Sequence, residues 1–152
     1  MSNEYDSIPD TKLHIVEVQR AMRTVMSDLA QRAYQHDQSK LENPELSVFN
    51  EYTPKLKNAV YGSDEYKSFL TGMGEALKHH YAVNDHHPEH FPNGISGMNL
   101  MQLTEMLCDW VAAVKRTKDG DVRRSIEINR ERFGYGDEIA QLLLNTVESM
   151  GV

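Results

Sequence analysis

The 152-residue chain is long enough to bury one core without disulfide staples, and its 39% apolar and 26% charged residues exclude a disordered chain. No apolar run approaches the roughly 18 residues of a membrane span, and the net charge of −7 argues against tracking along DNA, RNA or an acidic membrane. A single cysteine, Cys108, cannot close an internal disulfide and reads as a small buried apolar residue.

Helical spacing dominates the sequence, and strand alternation is nearly absent. From Thr11 the apolar positions Ile15, Val18, Met22, Val25, Met26, Leu29 and Ala33 recur at steps of three and four. They fit one long helix to about Tyr34, or two helices if Ser27 or Asp28 caps a second one after a tight turn. Asn43-Pro44-Glu45 starts a further helix, with Asn43 as cap and Pro44 in the first turn, and Thr53-Pro54 opens a short one. Ser63-Asp64-Glu65 begins a longer helix that aligns Phe69, Met73, Leu77 and His80 on one face. Residues 84–98, with Pro88, Pro92, Gly94 and Gly97, form a loop. Leu100, Leu103, Leu107, Trp110, Val111 and Val114 mark an amphipathic helix. Asp121 starts another that ends near Phe133, and the Gly134-Tyr135-Gly136 turn leads into a last helix carrying Ile139, Leu142, Leu143 and Val147. The expected fold is all-α, a single domain of six or seven helices without repeats or linkers.

Five of the seven histidines fall between His79 and His90, and that clustering needs a chemical reason. In His36-Asp37-Gln38-Ser39-Lys40, neighbouring residues offer a neutral nitrogen and an anionic oxygen, a pair that Mn, Fe, Co or Zn accepts. Lys40 can meet a phosphate oxygen as a point charge. His14 joins this pair only if the chain reverses near Val25–Asp28, because a straight helix separates it from His36 by about 33 Å. Glu105 and Asp109 lie one turn apart beside the apolar stripe, where a carboxylate is costly unless paired or bound to a cation. Of the downstream histidines, His80 faces the apolar side of its helix and His79 the polar side. His86 and His87 point apart in an extended loop, so at most one of them ligates each metal. The cations from Lys115 to Arg132 read as a solvated helical face.

The sequence His14, then His36-Asp37, then Asp109 resembles the H…HD…D signature of the HD-domain superfamily. His36-Asp37-x-x-Lys40, a further histidine, a His-His pair and then Asp109 is similar to the HD-GYP and cyclic-phosphodiesterase branches. The Gly-Tyr-Pro signature itself is missing, and only five residues separate His80 from His86. A group of small phage and bacterial proteins carries similar HD-x-x-K and HHPE strings. The resemblance spans His14 to Asp109 and implies an HD-like helical bundle that holds one or two divalent transition metals. His14, His36, Asp37 and Asp109 are the implied ligands of one metal, with Asp37 bridging where a second is bound and His80, His86 and His87 as candidates for it. Lys40 and Glu105 are the implied catalytic residues, Lys40 on phosphate charge and Glu105 on the water or behind a ligand. Arg116, at a seven-residue step from Asp109, is a candidate for a substrate phosphate.

The expected function is a cytoplasmic, metal-dependent phosphohydrolase acting on a nucleotide or other small phosphoester, with no polymeric nucleic acid and no membrane as partner. Homo-oligomerisation stays open. The alternative is a non-catalytic binding protein of the same fold that sequesters a nucleotide or contacts a host protein.

Overall fold

The computed structural model describes residues 5–116 and 120–152. It is all-helical, with no strand among the described residues. The helices are α1 (Ile8–Gln35), α2 (Glu45–Asn58), α3 (Asp64–Val83), α4 (Leu100–Val114), α5 (Val122–Phe133) and α6 (Asp137–Ser149). Short 3-10 turns cover Gln38–Leu41, Pro88–His90 and Gly94–Gly97. No helix among the described residues is long and apolar enough to cross a membrane. The chain divides into two units, residues 1–35 and residues 36–152.

The first unit is α1, one uninterrupted helix of 28 residues with no buried residue. The reversal considered at Val25–Asp28 is absent. Asp28 does not cap a new helix there. Its carboxylate accepts a hydrogen bond from Arg32 Nε at 2.9 Å, an i,i+4 pair that supports continuation.

In the second unit two expected starts are capped by the residues read for them. Ser63 accepts from the Tyr66 amide at the start of α3, and Asp121 accepts from the Arg123 amide at the start of α5. Asn99 and Gln102 form a reciprocal capping box on α4. Gly134, at φ 66°, ends α5 in the left-handed conformation. Three local expectations need correction. Asn43 does not cap α2: the helix starts at Glu45, Pro44 stands at the cap position, and no side chain caps it. Thr53-Pro54 opens no helix of its own: Pro54 sits inside α2, where the helix forgoes one backbone bond. Helix α3 is not straight, because Gly74, at φ 47° and ψ −119°, interrupts it.

One face of α4 supplies the core with Leu103, Met106, Leu107, Trp110 and Val111. These pack with Val122 and Ile126 of α5 and with Ala140, Leu143 and Val147 of α6. Tyr135 is buried with them and donates its hydroxyl to the Ile126 carbonyl at 2.6 Å. Cys108 lies off this face and is exposed, contrary to its reading as a buried apolar residue. The core thereby fixes the orientation of α4, and with it Glu105 and Asp109 on another face.

Candidate metal centre

Asp37 stands at the middle of the site. It follows α1 with φ 56°, a left-handed backbone that Asp tolerates better than most residues. The chain turns there into the 3-10 segment, whose Lys40 amide donates to the Asp37 carbonyl at 2.9 Å. The two carboxylate oxygens face different groups. Oδ2 lies 2.6 Å from Lys40 Nζ and 3.4 Å from His36 Nε2. Oδ1 lies 3.4 Å from His80 Nε2 and 3.6 Å from His86 Nε2.

Every histidine at this centre except His87 rests its other ring nitrogen on a carboxylate. His36 Nδ1 lies 2.9 Å and His86 Nδ1 3.1 Å from the same oxygen of Glu105. His80 Nδ1 lies 2.9 Å from Glu45, which also takes His79 Nδ1 at 2.7 Å and the Ser39 hydroxyl at 3.1 Å. For His80 and His86 such contacts fix the tautomer: the proton sits on Nδ1, and the Nε2 lone pair is aimed inward. His80 Nε2 meets His87 Nε2 at 2.9 Å.

The consequence is a cluster of acceptors facing one another. Asp37 Oδ1 and His86 Nε2, both buried, have no hydrogen-bond partner. Burying a polar atom unpaired costs about 1–3 kcal/mol, and two lone pairs 3.6 Å apart repel as well. A divalent cation between them removes both penalties. The donor set suits one, since ligand atoms of Asp37, His80, His86 and His87 lie within 4.8 Å of one another, as do those of His36, Asp37 and Asp109. Asp37 belongs to both groups. A third convergence, of His36, His86 and Glu105, uses atoms already hydrogen-bonded together and reads as support for the ligands.

Protonation states agree with this division. Burial pushes His80, His86 and His87 down, His87 to about 2, so all three are neutral and ready to ligate. His36 differs. The Asp109 carboxylate raises it most, burial opposes, and Glu105 and Asp37 add to the rise, which reaches about 9. Burial works against ionised Asp109, but His36 and Lys40 prevail and hold its carboxyl down at about 2.

The expected site residues therefore separate. His36, Asp37, His80, His86, His87 and Asp109 come together, with Glu105 behind two of them and Lys40 at the rim. His86 and His87 both reach the centre, against the expectation from an extended loop, because residues 85–86 form a turn that lets adjacent side chains converge. His14 does not have the geometry it needed. It is exposed within α1, whose unbroken course sets it 21 residues, about 31 Å of helix rise, before Gln35. Arg116 lies beyond the end of α4 in a turn, exposed, so its seven-residue helical step from Asp109 does not hold. Glu45 was missed. An acid in a first helical turn is ordinarily read as a dipole partner, and nothing local announces that this one is completely buried.

A family model described as a family of unknown function, DUF5662, matches residues 3–150. The chain belongs to this family. No curated protein and no solved structure matches it. The DUF5662 match covers both the His36–Asp37 turn and the His86–His87 loop, and so the whole centre.

Proposed function

We propose that this DUF5662 chain is a metal-dependent phosphohydrolase acting on a nucleotide or other small phosphoester. The observation that carries the reading is the orphaned pair, Asp37 Oδ1 and His86 Nε2, inside a shell of carboxylate-backed imidazoles. Mixed nitrogen and oxygen donors suit Mn, Fe, Co or Zn, and the two groups sharing Asp37 leave room for one ion or two. A cation held there would lower the pKa of water and neutralise phosphoryl oxygens. The residues of the chain do the rest. Glu45 and Glu105 lock the ligand tautomers. Lys40, whose side chain is 27% exposed, can swing from Asp37 to a phosphate oxygen at the rim. The net charge of −7 makes such a local cation the more important for an anionic substrate.

The second reading, a nucleotide-sequestering or host-contacting protein of the same fold, is favoured by one observation. His14, a member of the H…HD…D signature, lies on an exposed face of α1. Three other histidines occupy the centre in its stead, which keeps the enzyme reading ahead. Elemental analysis of the purified protein, then a screen of nucleotides and small phosphoesters with Mn or Co, separates the two. Asp37→Asn keeps a residue that tolerates positive φ and should lose both metal and turnover. Metal-dependent hydrolysis surviving in that variant refutes the assignment; bound metal with no turnover of any phosphoester transfers the chain to the second reading.

A further inference from the structure

Helix α1 carries none of the clustered ligands, so what it does stands apart from the chemistry above. Its 28 residues bury nothing, yet they are rich in apolar side chains. Ile15 is 47% exposed, Val18 43%, Met22 60% and Val25 40%. Most helical stability in proteins comes from covering an apolar face, and in α1 that face stays exposed.

The spacing says which kind of face. Ile8, Ile15, Met22 and Leu29 are seven residues apart, and Thr11, Val18, Val25 and Arg32 follow each by three. This is a heptad with apolar a positions throughout and apolar d positions in its two central repeats. A straight helix drifts about 20° per heptad from such a repeat, so only supercoiling around another helix keeps the seam closed. Leu13 and Val16 lie outside the seam and stay exposed.

We propose that two copies of the chain pair through α1 as an antiparallel coiled coil. Charge decides the orientation. A parallel pair would set Arg32 against Arg32 of the second copy at a d layer and would bring no opposite charges together along the flanks. An antiparallel pair centred near Arg20 sets Ile15 against Val25 and Val18 against Met22 of the second copy. The same register places His14 beside Asp28 of the second copy and Ala21 beside its own equivalent. Arg32 then faces Ile8 of the second copy in the last layer, at the open end of the pair, where its guanidinium stays on Asp28 of its own helix. His14 is thereby a flank residue of an interface, which accounts for a histidine that the metal cluster leaves out.

The test is the mass of the full chain in solution, by sedimentation over roughly a hundredfold concentration range. A species of twice the chain mass is expected. Ile15→Glu with Met22→Glu should raise its dissociation constant by about 100-fold or more, from the lost burial of two apolar side chains. Orientation is read by oxidative crosslinking in a Cys108→Ser background: Ala21→Cys should crosslink, and Val25→Cys should not. A monomer at every concentration overturns the proposal. Crosslinking of Val25→Cys but not Ala21→Cys overturns the orientation, and a dimer indifferent to the double Glu variant overturns the interface. None of these outcomes depends on metal content or turnover.

Discussion

Glu45→Gln is the perturbation that best separates a metal centre from a merely polar interior. Glu45 is wholly buried and accepts from His80 Nδ1 at 2.9 Å, His79 Nδ1 at 2.7 Å and Ser39 Oγ at 3.1 Å. Glutamine keeps the size but has one acceptor oxygen and turns two hydrogens toward groups that themselves donate. His80 is then free to carry its proton on Nε2, the atom that faces Asp37 and His87, and loses its inward lone pair. Losing a carboxylate behind a ligating histidine costs about 10–100-fold in metal affinity, or about 1.4–2.8 kcal/mol. The upper end is expected here, because one carboxylate holds two histidines and a serine. Titration of metal-free protein against a chelating dye measures it, with melting of the metal-free forms as the control for folding. An affinity equal to that of the wild type, beside a lowered Tm, would show that Glu45 supports the fold alone, and the ligand assignment of His80 would fall with it.

Metal binding at pH 7 should release about one proton, because His36, raised to about 9, is protonated there while His80, His86 and His87 are already neutral; calorimetry in buffers of different ionisation enthalpy counts it, and no release would contradict His36 as a ligand. The same shift has a sign for the metal-free protein. A histidine whose folded pKa is raised contributes stability that is complete below about 6.5 and is lost as the pH rises through about 9, so metal-free protein should melt lower at pH 9.5 than at pH 6.5. Ile126→Ala, at a fully buried position of the α4–α6 core, should cost about 2–5 kcal/mol and lower the Tm by roughly 10 °C, while leaving metal affinity at wild-type strength.

The helices were legible because their signals are local. Ser63, Asp121 and Gly134 mark their ends by side-chain bonds or backbone conformation that depend on a few neighbouring residues. The pairing of His36-Asp37 with Asp109 was legible too, since each belongs to a short motif. What failed was long-range or conformational. Whether α1 reverses at Ser27-Asp28 depends on a contest between capping and continuation, and the Asp28–Arg32 pair supports continuation. That Glu45 reaches two imidazoles 34 and 35 residues away follows from how α2 packs on α3, which no spacing in the sequence encodes. Adjacent His86 and His87 converge because the chain turns at Asp85–His86, where an extended reading sent them apart.

Helix α4 explains how so small a unit keeps so many polar groups inside. Its apolar face, from Leu103 to Val111, belongs to the core with α5 and α6, while Glu105 and Asp109, one turn apart, look toward His36. The carboxylates are therefore held by packing that does not involve the centre. That leaves Asp37 and the imidazoles in an arrangement that could hold a cation, and the orphaned Oδ1 and Nε2 carry its local cost. Natural chains keep such costs where function requires them and offset them elsewhere. A centre built only for stability would have filled the same space with matched donors and acceptors, or with leucine.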